Sequence, residues 1–276
     1  MEVKVVIGNN QVKIDDDNKT PSIIRGQNKY SIVRLYYYLT KGIYLLPRLY
    51  GIKATNPLED WRNELEKQLV RILENELSLS HLHISGDFQI ESKSLAIIGS
   101  VNGSKVSLKV ELKDKPILED NNVTRNLVKV DSFYFSSLVK KKPYILPAIR
   151  AGLIASFYKF LPVQFEGSPG IPKTFGIISE FINSMILPQG YRDKILEYEI
   201  YIRDNEIYCN EDIIYNANPE VLSLFSLSFY LKTSNENSIV VIEDPEVHLS
   251  DRGLTFLKEL ISSSKAKIVI ASDRFE

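Results

Sequence analysis

In S-I-V-V-I-E-D-P-E-V-H-L, residues 238–249, four consecutive apolar residues (Ile239 to Ile242) run directly into acid. Such a run predicts a strand covered on both faces. In open α/β sheets, ligands sit beyond the carboxyl ends of the strands, so Glu243 and Asp244 stand where a carboxylate reaches a metal ion or a phosphate. Adjacent carboxylates at a strand end are costly unless they are partnered, which makes them candidate site residues. The plain alternative is a strand that simply ends in an acidic turn at Pro245.

Composition narrows the classes around that strand. At 276 residues, the chain is long enough for one large domain or two small ones. Lys+Arg 34 against Asp+Glu 35 leaves a net charge of -1, so no global electrostatic pull toward nucleic acid or a membrane follows. The densest basic run, Lys140-Lys141-Lys142, reads as a solvated turn. A single cysteine, Cys209, excludes an internal disulfide and a cysteine metal cluster. No apolar run approaches the length of a membrane span, and the N-terminus lacks a signal-peptide layout, so a soluble cytoplasmic protein is expected. Abundant Ile, Lys, Glu and Tyr give a thermophile-like composition.

Along the chain, residues 2–7 and 11–15 alternate around Gly8-Asn9-Asn10 as two short strands, and Ser22 to Arg25 reads as a third. A helix is predicted from about Ser31 to Leu46, and a second from Asn56-Pro57-Leu58-Glu59, with Asn56 as N-cap and proline in the first helical position. Leu58, Trp61, Leu65, Leu69 and Ile72 give it an apolar stripe through about residue 79. Residues 81–113 alternate with period two, with Asn102-Gly103 as the expected hairpin turn, both residues at positive φ. His81 and His83 would share a strand face; without a third ligand nearby they read as exposed strand residues rather than a metal site. Residues 114–130 read as a charged surface loop, and P-V-Q-F-E-G-S-P-G-I-P-K (162–173) as another loop. A hairpin is expected over Asp204-Asn205, between Glu197–Ile202 and Glu206–Asn210. Helices from Pro219 to about Leu231 and from about Ser250 to Ser262 flank the acidic strand, and Lys267–Ala271 forms the last strand.

The acidic strand end resembles the Walker B segment of ABC-type ATPase heads, specifically the SMC-like and OLD-like branch. There an apolar strand precedes E-E-P-E or D-E-P-E and then H-L-H-P. Y-I-L-P-A-I-R-A-G-L (144–153) is similar to the P-A-x-R-x-G segment that follows the β-lobe of OLD-like members. The resemblance spans nearly the whole chain. It implies an α/β fold of the P-loop NTPase kind, a mixed sheet with flanking helices carrying an antiparallel β-lobe. One domain is expected, built from an N-terminal part (1–56), a helix and β-lobe (57–143) and a C-terminal α/β half (144–276). It also implies that Glu243 holds magnesium, and that Asp244, one methylene shorter than the family's glutamate, orients the attacking water.

Other family positions depart from the pattern. A working phosphate loop follows G-x-x-x-x-G-K-[ST], where backbone N–H groups wrap the phosphates, lysine neutralises them and the hydroxyl holds magnesium. The corresponding stretch is G-Q-N-K-Y-S-I-V-R (26–34). Gly26, Gln27 and Asn28 match the opening G-x-N. Lys29 and Ser31 replace glycines, Ile32 stands where lysine is expected, and Val33-Arg34 replace the hydroxyl pair. The family's signature turn corresponds to N-A-N-P-E (216–220), where Asn218 and Pro219 make a good helix start and Glu220 opposes an incoming phosphate. The switch histidine corresponds to Ala271 in I-A-S-D (270–273), while Ser272 and Asp273 persist.

Two functions fit these residues. The first is a degenerate ATPase-like protein without efficient hydrolysis, acting as a binding or regulatory module. Family heads pair face to face, which implies a homodimer or a heterodimer with an active relative. The alternative is a divergent but active magnesium-dependent ATPase. It would place ATP on Gly26, Gln27, Asn28, Lys29, Ser31 and Arg34, with Asn218, Glu220, Ser272 and Asp273 nearby, and magnesium on Glu243 and Asp244. A link to DNA maintenance or defence rests on family analogy alone.

Overall fold

The computed structural model describes residues 1–16, 18–118, 122–138, 140–161, 170–204 and 206–275. Its strands are β1 (Glu2–Ile7), β2 (Asn10–Asp15), β3 (Ser22–Ile24), β4 (Ser85–Glu91), β5 (Leu95–Asn102), β6 (Lys105–Leu112) and β7 (Lys142–Leu146). They continue with β8 (Arg192–Ile195), β9 (Tyr198–Arg203), β10 (Glu206–Cys209), β11 (Asp212–Ile213), β12 (Ser238–Glu243) and β13 (Lys267–Ala271). The helices are α1 (Lys29–Leu45), α2 (Pro57–Ser80), α3 (Val123–Ser137), α4 (Arg150–Phe157), α5 (Ile177–Ser184), α6 (Pro219–Thr233) and α7 (Asp251–Ser263). The architecture is mixed α/β. The chain divides into two compact units, residues 1–18 with 28–142, and residues 19–27 with 143–276.

The first unit holds an antiparallel sheet in the order β2-β1-β4-β5-β6. Alternation along β1 buries Val3, Val5 and Ile7, and Phe88 and Ile90 of β4 are buried with them. Strands β1 and β2 join β4, β5 and β6 through the β1–β4 pairing, a long-range contact that local pattern does not disclose. The helical stripe runs through Trp61, Leu65, Leu69, Leu73 and Leu77, all buried, with Leu73 rather than Ile72 continuing it. Trp61 stacks on Tyr134 of α3 at 4.9 Å.

Several local features differ from those the sequence predicts. The β5–β6 turn is Gly103-Ser104, because Asn102 pairs with Lys105, and only Gly103 (φ +60) is left-handed. A two-residue turn needs glycine at just its first position when it is of the II′ kind. Residues 123–130 are helix, not loop: Asn122 caps α3 by accepting the Arg125 N–H at 3.0 Å, and Leu127 and Val130 are buried. Asn56 does not cap α2 with its side chain; Asp60 reaches back instead and accepts the N–H groups of Thr55 and Asn56 at 2.7 and 2.8 Å. His81 is the left-handed C-cap of α2 and His83 precedes β4, so both are exposed but neither lies on a strand. Lys141 donates to the Asp16 carbonyl at 2.6 Å and Lys140 to that of Leu46, which makes this run a set of main-chain ties, not a solvated turn.

In the second unit, β3, β13 and β12 are parallel and adjacent, with β7 beyond β12. All six residues of β12 and all five of β13 are buried, as expected of strands covered on both faces. Helix α6 is buried without interruption from Val221 to Leu231, so it is a core helix rather than an amphipathic one. Its serines are satisfied locally or by neighbours: Ser226 donates to the Ser223 carbonyl at 2.9 Å and Ser228 to Asp193 at 2.7 Å. The expected hairpin at 197–210 belongs to a larger antiparallel sheet, β11-β10-β9-β8, whose outer strands are too short to read from pattern. Its turn residue Asn205 lies outside the described residues, as do residues 162–169 of the Pro/Gly-rich loop. Among the described residues, no helix is long and apolar enough to cross a membrane.

Candidate functional site

The acid-bearing end of β12 lies beside the end of β13. Glu243 is in register with Ala271, and the Asp244 N–H extends the ladder by donating to the Ala271 carbonyl at 2.8 Å. Glu243 is almost fully buried, with 1% of its surface exposed. The strand stops at Asp244, whose φ of +37° is left-handed. Pro245 to His248 then turn, with the Val247 N–H on the Asp244 carbonyl at 3.1 Å and the Leu249 N–H on that of Glu246 at 3.0 Å. Ser250 caps α7 by accepting the Gly253 N–H at 3.2 Å. His248, a second left-handed residue (φ +70°), is exposed.

A buried arginine meets this turn. Arg150 opens α4 and has no exposed surface. Its guanidinium donates to the carbonyls of Glu243 (3.0 Å), Asp244 (3.3 Å from each terminal nitrogen) and Pro245 (2.7 Å). The Pro147 carbonyl accepts both the Arg150 N–H at 3.1 Å and its side chain at 3.4 Å. Burial lowers the guanidinium from its ordinary value to about 10, opposed by the charges of Glu246, Asp244 and Glu243. It therefore stays protonated at neutral pH and leaves a positive charge among three carboxylates.

The far side of the turn is fastened to the residues after β13. The Ser272 hydroxyl donates to Glu246 at 2.5 Å and accepts the N–H groups of Arg274 and Phe275, each at 3.0 Å. Asp273 accepts the Gly26 N–H at 2.8 Å, and Arg25 donates to the Phe275 carbonyl at 2.9 Å. One amide of the glycine-led loop is thus spent on the chain's own carboxylate. Gly26 itself is left-handed (φ +94°) and exposed, and Gln27 is exposed beside it. Ala271, where the resemblance leads one to expect a histidine, is fully buried.

Asn28, Lys29, Ser31 and Arg34 belong to the first unit. Helix α1 begins at Lys29, and the Ile32 N–H already closes onto the Asn28 carbonyl at 2.9 Å. Asn28 makes no side-chain cap; its amide donates to the Ile7 carbonyl at 3.2 Å. Lys29 and Arg34 lie over the Tyr30 ring at 5.1 and 5.8 Å. Ser31 is half-buried in the first helical turn. Ile32 and Val33, at the positions where the family pattern carries an ammonium and a hydroxyl, have no exposed surface at all.

Asn218 accepts the Val221 N–H at 2.9 Å and caps α6 as its sequence predicts. Glu220 accepts the N–H and the hydroxyl of Ser250, at 2.8 and 2.6 Å. Its carboxylate fastens the start of α6 to the start of α7. Among the described residues, no group of three or more His, Cys, Asp or Glu side chains is arranged to hold a metal ion.

No protein-family model matches this chain, and no curated protein matches it. Among solved structures, the chain is similar to one described as the SmcHead bound to the C-winged helix domain of ScpA. The identity is 13% and the TM-score 0.45, over 99% of this chain and 89% of that one.

Arg150 and Glu246 are the residues that motif reasoning passed over as site members. For Arg150, the signal lay in P-A-I-R: an arginine three residues after proline, at the end of an apolar stretch, with no acid nearby in sequence to pair it. An arginine in such a place needs partners from elsewhere.

Proposed function

We propose that the chain is a degenerate ABC-type ATPase head in a single head-like domain, retained as a binding or regulatory module without efficient ATP hydrolysis. The observation that carries this reading is the burial of Ile32 and Val33. Side chains that lack the charge and the hydroxyl, and that have no exposed surface, neutralise no phosphate and hold no magnesium. The Gly26 amide bound to Asp273, and Glu220 bound to Ser250, support the same reading. The residues at these positions do not fit a magnesium–ATP complex. What remains, Glu243 and Asp244 at the strand end, is the framework of such a site without its phosphate-binding half.

Calorimetric titration with magnesium–ATP tests the proposal. No heat of binding is expected at micromolar nucleotide, and micromolar affinity would sink it. The second reading, an active magnesium-dependent ATPase, has the retained Glu243–Asp244 pair in its favour. It requires turnover that Asp244→Asn abolishes; unchanged turnover in that variant would remove it. Pairing with a second copy or with a related head is part of the proposal, and sedimentation at graded concentrations tests self-association.

A further inference from the structure

We propose that Arg150 is the positioning residue of the acidic turn. Its guanidinium gathers the carbonyls of Glu243, Asp244 and Pro245 and so holds Asp244 in the left-handed conformation that sets where its carboxylate leaves the strand.

Successive carbonyls of an extended strand point alternately to opposite sides. Three in a row converge on one group only if the chain breaks from extended geometry at the middle residue. That residue is Asp244, with φ +37°. A left-handed residue with a Cβ is disfavoured, although aspartate tolerates it better than most, and it persists where its surroundings over-determine it. Here the determinant is a planar fork of donors reaching carbonyls at 2.7 to 3.3 Å from a fully buried position. Lysine has three donors on one nitrogen and does not span such a set. The P-A-x-R spacing explains how the fork is aimed. The Pro147 carbonyl takes the Arg150 N–H at 3.1 Å, and this tight turn places Arg150 at the head of α4. The role stands whether or not a nucleotide binds.

The test is a cycle of Arg150→Lys and Asp244→Gly, read by urea unfolding and by amide hydrogen exchange. Arg150→Lys keeps the buried charge and loses the fork. The Asp244 amide, bonded to Ala271 at 2.8 Å, is expected to lose at least tenfold more protection than the amides of Ile239 to Ile242, which fall only with global stability. Glycine adopts the left-handed conformation freely. Asp244→Gly should therefore favour folding about fivefold more in the native background, where the fork enforces the left-handed residue, than in the lysine background, where that residue is released. Equal effects in both backgrounds, or a uniform loss of protection along β12, would show that Arg150 acts as core packing only and overturn the proposal. If Arg150→Lys does not fold, the native protein still decides. Slowly exchanging Arg150 guanidinium protons and a left-handed Asp244 in its backbone chemical shifts are expected, and an extended Asp244 rejects the idea.

Discussion

Glu220 receives both polar hydrogens of Ser250, and Gly253 lies so close that a Cβ there would fall 2.2 Å from the Glu220 carboxylate. One side chain thus closes the N-terminus of α7, with Ser250 capping below it. Removing it in Glu220→Ala is expected to cost about 1 kcal/mol, the usual net worth of such bonds, measured by urea unfolding. Gly253→Ala displaces the same carboxylate, so the two losses should overlap rather than add in a double-mutant cycle. Asp131 is the weightier residue. It is buried to 1% and accepts the Leu49 N–H at 2.8 Å, the Trp61 indole at 3.1 Å and Arg48 at 3.2 Å. Asp131→Ala strands two buried donors and is expected to cost about 3 kcal/mol in the same assay.

At the scale of elements, the outer edge of the five-stranded sheet is closed by side chains. Strand β6 ends the sheet order, and its Val106 and Val110 N–H groups are taken by Glu74 (3.2 Å) and Glu66 (2.7 Å) of α2. Two carboxylates eight residues apart on one helix therefore cap two amides, four residues apart, of an edge strand that would otherwise template pairing with another chain. The double variant Glu66→Ala/Glu74→Ala is expected to associate as concentration rises, followed by light scattering, while the native protein at the same concentrations does not. If both scatter alike, the carboxylates do not guard the edge. Helix α2 also shows why cap positions are read only approximately from sequence. Asn56 and Asp60 are both competent acceptors, and the geometry of the chain before the helix selects Asp60.

At the scale of the whole molecule, tyrosines tie stability to alkaline pH in both units. Burial pushes Tyr36, Tyr134, Tyr191 and Tyr230 above their ordinary value near 10, and Asp16, Asp114 and Asp193 add to the shift at the first three. The folded chain keeps these protons where the unfolded chain releases them. Their contribution is therefore complete below about pH 10 and is lost as the pH rises beyond it. Arg150, lowered to about 10, and Lys140, also lowered by burial, act in the opposite sense, but they are two groups against four. The urea midpoint is expected to fall above pH 10, with the buried share of tyrosinate absorbance appearing together with loss of the fold. Absorbance that completes its rise while the circular dichroism is still native would contradict this.

Elements whose cause is local are legible in the residues alone. The continuous apolar runs placed β12 and β13, and Asn218-Pro219 placed the start of α6. The sequence also shows that Ile32, Val33 and Ala271 carry no charge or hydroxyl, because side-chain chemistry does not depend on the fold. That β1 pairs with β4, that Glu220 bonds to Ser250, and that Arg150 reaches a carbonyl 93 residues away emerges only in the folded chain. Those choices turn on which distant groups find hydrogen-bond partners once water is excluded, and no local periodicity records that.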